Sequence, residues 1–76
     1  MQILNYTAVI EFDEDAKVYV GHFPALPEAI TEAASLDELS ANLHEVLELA
    51  LEVRAAHSEP IVIDSFVGTQ RVTVTV

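Results

Sequence analysis

Hydrophobic and polar side chains alternate along two stretches near the start of the chain, in the pattern of β-strands. Residues 3–12, ILNYTAVIEF, and residues 18–23, VYVGHF, each place apolar side chains at alternate positions. β-Branched and aromatic residues, which strands favour, dominate the second stretch. The polar run DEDAK separates the two and contains Asp13 and Asp15, which suit a turn. The pattern predicts an antiparallel hairpin.

A helix is the clearest element that follows. Ser35 precedes Glu38 by three residues, which is the spacing of a capping box, and Ala34 and Leu39 are placed as a hydrophobic staple. Beyond this start, apolar residues recur on one side of the helix and acidic residues gather on the other. The spacing predicts a helix that ends near Ala56. Its apolar side is expected to carry Leu36, Leu39, Leu43, Val46, Leu47, Ala50 and Val53.

Two shorter segments complete the predicted order of elements. Residues 28–34, EAITEAA, mix helix-favouring and strand-favouring types, and we predict a third strand there. Residues 71–76, RVTVTV, alternate with their valines on one face and predict a final strand that pairs with the first, after a turn or bulge at Gly68. The order β-β-β-α-β predicts a single α+β domain over residues 1–76, with one sheet and one covering helix.

One helix covers only one face of such a sheet. The other face has Val9, Val18 and Val20 among its candidate residues, and they would be exposed in a monomer. A chain of 76 residues also builds only a small core. We therefore expect a homo-oligomer, a dimer or a tetramer, with these valines at the interface.

The charge of the chain narrows the classes of partner. Thirteen acidic residues oppose three basic ones, for a formal charge of −10. This charge repels nucleic-acid phosphates and anionic membranes, so we expect no direct contact with either, while a basic protein is favoured. An alternative is that the charge only keeps a small oligomer in solution. The start of the chain has no basic signal region and no run is long enough to span a bilayer, so we expect a cytoplasmic protein.

The spacing of the histidine and acidic residues does not match a catalytic or metal-binding motif. Without cysteine, the chain has no disulfides and no thiolate metal site. The segment HEVLE resembles the H-E-x-x-H zinc helix, but Glu48 replaces the second histidine and no third ligand accompanies His44. We expect no catalytic residues, no metal and no cofactor, and hence a protein that is not an enzyme.

Two acidic clusters are the candidate partner-binding residues. One is the turn with Asp13, Glu14 and Asp15, and the other is the helix side with Glu45, Glu48 and Glu52. Leu49 falls among the helix carboxylates, where an exposed leucine favours a protein contact. The alternative is that both clusters are solvated surfaces.

Residues 6–52 resemble the HicB-like antitoxins as a set. The stretches YTAVIEFDED, YVGHFPALPEAIT and SLDELSANLHEVLELALE follow one another as in that family. Its pattern is an acidic hairpin, an aromatic strand ending F-P-x-L-P, a threonine and a capped helix. The matching positions are Asp13, Glu14, Asp15, Tyr19, Phe23, Pro24, Leu26, Pro27, Thr31, Ser35, Leu36, Asp37, Glu38, Ala41 and Asn42.

The resemblance implies a partial RNase H-like fold and a role as the neutralising partner of a HicA-type toxin that cleaves mRNA. The prolines of PALP lie between an aromatic strand and the capped helix, so we predict that they form a structural joint and are not a free proline-rich ligand. Ala25, Glu28, Ala29 and Ala33 depart from the family pattern. Since residues 57–76 contain no helix-forming stretch, we expect a short form that lacks the C-terminal DNA-binding domain common in these antitoxins. Two alternatives remain open: an orphan HicB-like interaction module without a toxin, and a divalent-metal RNase H-like nuclease.

Overall fold

The computed structural model describes residues 3–76, so Met1 and Gln2 of the predicted domain lie outside it. Three strands, β1 (Val9–Asp13), β2 (Val18–Phe23) and β3 (Leu26–Ala33), precede one helix, α1 (Leu36–Ala56). The strands form one antiparallel sheet in the order β1-β2-β3. This confirms the predicted α+β class, including the third strand.

The β1–β2 hairpin owes its tight turn to Asp13. One oxygen of its carboxylate accepts hydrogen bonds from the backbone N–H groups of Asp15 at 3.0 Å and Ala16 at 3.1 Å. Its carbonyl accepts from the N–H of Lys17 at 2.8 Å, and Lys17 has a φ of 59°. An aspartate that bonds to the backbone ahead of it is a common turn device, so the acidic run has a structural role here.

The proline segment joins β2 to β3, as predicted. Phe23 pairs directly with Leu26, and the register shifts between His22 and Phe23. Leu26 is fully buried and Phe23 nearly so. Pro24 and Ala25 thus form the turn between two core residues, which fixes the segment against the body of the protein.

The helix begins and ends where its sequence signals predict. Ser35 has extended backbone angles, and its hydroxyl oxygen accepts from the N–H of Glu38 at 3.2 Å. The last turn closes at His57, whose N–H donates to the carbonyl groups of Val53 and Arg54, both at 3.2 Å. The predicted apolar side is correct for its centre, while Leu36 and Val53 at its two ends are about half exposed.

The core lies between α1 and the adjoining faces of β2 and β3. Gly21 brings strand and helix unusually close together, because a methyl group on its Cα would lie 2.9 Å from Leu43 Cδ2. The absence of a side chain on β2 at this point is therefore what allows Leu43 to approach the sheet. The buried residues are Phe23, Leu26, Ala29, Ala33, Leu39, Leu43 and Ala50.

The chain after the helix does not form the predicted fourth strand. No helix or strand occurs in residues 57–76, and β1 begins at Val9 instead of Ile3. The segment before β1 and the segment after α1 are joined by side-chain hydrogen bonds and not by a strand ladder. The Tyr6 hydroxyl donates to the Val62 carbonyl at 2.6 Å, and the Asp64 carboxylate accepts from the backbone N–H of Thr7. The alternating valines have no neighbouring strand in residues 3–76, and strand propensity alone does not order a strand.

Candidate functional site

A groove runs between α1 and the free edge of β3. The helix runs back along β3, so its second half faces the start of that strand. Val46 and Leu49 line the groove together with carboxylate and amide side chains. The groove is lined by Thr31, Asn42, Glu45, Val46, Glu48, Leu49 and Glu52.

Helical spacing brings three glutamates to this groove. Glu45, Glu48 and Glu52 lie three and four residues apart, which places them on one side of the helix. Leu49 stands between them, and 59% of its surface is exposed. Like charges at this spacing repel one another by a few tenths of a kcal/mol. The arrangement is an exposed apolar centre with an acidic rim, as the sequence predicted for the polar side of the helix.

His44 is the side chain next to the three groove glutamates on the helix that can carry a positive charge. Its Nδ1 lies 2.7 Å from Glu48 Oε1, one helical turn away, and both side chains are mostly exposed. The contact is an ion pair only when the imidazole is protonated. In residues 3–76 no group of three or more histidine, aspartate or glutamate side chains is placed to hold a metal ion.

An ion pair that the sequence pattern did not predict lies beyond one end of the groove. Arg54 Nε donates to Glu28 Oε2 at 2.6 Å, and Arg54 Nη2 donates to Glu28 Oε1 at 3.0 Å. This two-point hydrogen bond to Arg54 lowers the pKa of Glu28 from 4.5 to about 2. The only signal in the sequence was that Arg54 is the sole lysine or arginine within the helix. The pair ties the end of α1 to the start of β3.

Asn42 fixes the other end of the groove. Its side-chain N–H donates to the backbone carbonyl of Glu32 in β3 at 3.3 Å. Helix and strand are thus joined by polar contacts on both sides of the carboxylates. The buried core between α1 and β3 positions the two elements, and these two contacts add to it at the surface.

The second predicted acidic cluster lies elsewhere. Asp13, Glu14 and Asp15 are all exposed at the β1–β2 turn. β1 and β3 are the two edges of the sheet, with β2 between them, and two strand spacings amount to about 10 Å. The turn therefore does not join the groove, and one oxygen of Asp13 is already bonded to the backbone.

The predicted interface valines share the face of the sheet that points away from α1. The register pairs Val9 with His22, Val20 with Glu11 and Val18 with Asp13. Directly paired residues lie on one face, so the three valines lie together and are partly buried. Val20 also pairs with Glu32 of β3, so Glu11 and Glu32 flank it on the two neighbouring strands, a feature that the sequence pattern did not indicate.

Within residues 3–76, no helix combines the length and the apolar character needed to cross a bilayer.

The chain is similar to proteins from bacteria and archaea that carry one shared name. A UPF0150 protein of Thermotoga maritima is 51% identical over 47 residues, which are 62% of this chain and 63% of that protein. A UPF0150 protein of Synechocystis is 36% identical over 92% of this chain and 94% of its own length. One of Archaeoglobus fulgidus is 41% identical over 93% and 96% respectively. No protein-family model matches the chain, and no solved structure matches it.

Proposed function

The chain belongs to the UPF0150 family, and we propose that it acts as a HicB-like antitoxin, which binds a basic HicA-type mRNA-cleaving toxin and blocks its active site by contact. The family name states no activity. Support comes from the residues that resemble HicB-like antitoxins and from the acidic groove between α1 and β3. In this role the protein is a binding partner and performs no reaction of its own.

The groove is the observation that carries the proposal. Glu45, Glu48 and Glu52 present three carboxylates around Leu49, without a lysine or arginine among the residues that line the groove. A toxin that acts on RNA needs a positively charged surface to hold the phosphate backbone. That surface is complementary to the groove, and complementary charge speeds association and selects the partner.

Leu49 and Val46 supply the apolar part of the contact. Protein interfaces have a desolvated apolar centre within a polar rim, and the centre contributes most of the affinity. Here the exposed leucine lies at the centre and the carboxylates surround it. We therefore expect an apolar toxin side chain to pack on Leu49 while lysine or arginine side chains pair with the glutamates.

Self-association is assigned to the opposite face of the sheet. Val9, Val18 and Val20 lie on the face that α1 leaves uncovered. The groove lies on the helix side, so a dimer or tetramer formed through the valines leaves it free. Each copy can then bind one toxin.

The proposal expects the neighbouring reading frame to encode a basic HicA-type protein, and the test is a calorimetric titration against that protein. The double variant Glu45→Lys with Glu48→Lys is expected to weaken binding at least about tenfold, since it replaces two attractions with repulsions. The matched control, Asp37→Lys with Glu38→Lys, makes the same change in net charge in the first turn of the helix, away from the groove. It should keep its affinity within about threefold.

Two results would count against the proposal. If wild-type protein shows no binding, the antitoxin function is wrong. If both double variants lose affinity equally, net charge rather than the groove governs binding. Circular dichroism of each variant checks that the fold is retained.

A further inference from the structure

Residues 71–76 have the alternating sequence of a β-strand but pair with no strand of the described chain. Val72, Val74 and Val76 alternate with Arg71, Thr73 and Thr75. Val72 and Val74 are 69% and 73% exposed, and none of the three valines belongs to the hydrophobic core or packs against it. β-Branched residues in strict alternation fit a half-buried strand and are poorly suited to a solvated tail.

The path of the preceding segment carries this strand away from its own sheet. Tyr6 contacts Val62 and Thr7 contacts Asp64, so the two segments run in the same direction. If the chain continued beside β1 residue for residue, it would reach the end of that strand before Arg71. Val67 is fully exposed and residues 57–76 form no strand, so this segment does not pair with β1 of its own chain.

The outer edge of β1 is free to accept an additional strand. β1 pairs only with β2 among residues 3–76, so its other edge has no strand ladder. Ile10 and Phe12 lie on this edge strand, 49% and 46% exposed, on the face that carries Gly21 and Tyr19. An added strand with valines on that face would cover both side chains.

We propose that the segment Arg71–Val76 pairs with the outer edge of β1 of a second copy of this chain, and that the two copies exchange these strands reciprocally. The valines lie on the same face as Ile10 and Phe12, and the threonines lie on the face of Glu11. The exchange closes as a two-fold dimer, because each copy both gives a strand and receives one. It also covers an edge that would otherwise be open to uncontrolled pairing.

β1 is a better acceptor than β3. The edge of β3 adjoins the acidic groove, and Asn42 already bonds to the carbonyl of Glu32. Beside β1 the incoming valines meet exposed apolar side chains. This dimer depends on neither the toxin nor the sheet-face interface of the proposed function, and it leaves both surfaces free.

Disulfide trapping tests the position of the strand, since the natural chain has no cysteine. In the proposed pairing Thr73 lies opposite Glu11, so Glu11→Cys and Thr73→Cys chains are mixed in equal amounts and oxidised. A linked dimer containing one chain of each kind is expected. Replacing the first chain by Glu32→Cys, on β3, should give no mixed product. A mixed product at Glu32 only, or a Glu11→Cys/Thr73→Cys double variant that closes within a single chain, would overturn the proposal.

Sedimentation equilibrium tests the role of the valine face without a core substitution. In a Val20→Ser background, which weakens association through the sheet face, Val74→Lys should raise the dimer dissociation constant at least about 100-fold, since each of the two exchanged strands loses a buried valine. The matched variant Thr75→Lys introduces the same side chain on the other face and should change it less than about threefold. A monomeric wild type at about 100 µM, or equal effects of the two variants, would refute the exchange.

Discussion

The close approach of α1 to β2 makes Gly21→Ala a sharp test of the packing. The added methyl carbon would lie 2.9, 3.2 and 3.3 Å from three atoms of the Leu43 side chain. Carbon atoms in contact normally stay about 3.5–4.0 Å apart, so the methyl group overlaps by several tenths of an ångström. Leu43 is buried and has little room to move aside.

The expected cost combines two opposing effects. Overpacking of a core costs about 1–3 kcal/mol, whereas replacing a strand glycine by alanine returns about 0.5–1 kcal/mol through the unfolded chain. We expect Gly21→Ala to lower the free energy of unfolding by about 0.5–2 kcal/mol. In a Leu43→Ala background the methyl group enters the vacated space, so the same change should be neutral or stabilising, with a coupling energy of about 1–3 kcal/mol.

Urea unfolding followed by far-UV circular dichroism measures all four proteins of this cycle, since the chain has no tryptophan. Leu43→Val replaces Leu43→Ala if the latter leaves too little folded protein for the measurement. If Gly21→Ala destabilises equally with and without the Leu43 side chain, the clash is not its cause, and the account of the glycine is wrong.

Three further changes probe other contacts. Ser35→Ala removes the cap of α1 and should cost about 1 kcal/mol in urea unfolding. Glu28 has a lowered pKa in the fold, so its stabilising contribution is present above pH 4.5 and is lost as the pH falls towards about 2; urea unfolding of Glu28→Gln should therefore depend less on pH across this range. Asp64→Ala should speed amide hydrogen exchange at Thr7, because it removes the acceptor that the Thr7 N–H uses.

Much of the fold follows from local signals in the sequence. The capping box set the start of α1, since Ser35 needs no distant partner to bond to the Glu38 N–H. Period-two alternation located β1 and β2, and the proline segment marked their boundary with β3. The three helix glutamates could be placed together because helical spacing alone determines their side of the helix.

The failures concern contacts between distant parts of the chain. Residues 71–76 have the alternation of a strand, but alternation does not say whether a partner edge lies within reach. The pairing of Glu28 with Arg54 joins residues 26 positions apart, and no periodic pattern encodes it. The separation of Asp13 from the groove depends on strand order, which short-range signals leave undetermined.

RNA cleavage tests the central claim most directly. The account expects a HicA-type protein in the neighbouring reading frame, and that protein is incubated with mRNA and increasing amounts of this chain. Wild-type protein should stop cleavage near equal stoichiometry, Asp37→Lys with Glu38→Lys should do the same, and Glu45→Lys with Glu48→Lys should leave cleavage running. Cleavage that continues undiminished with excess wild-type protein would contradict the antitoxin account.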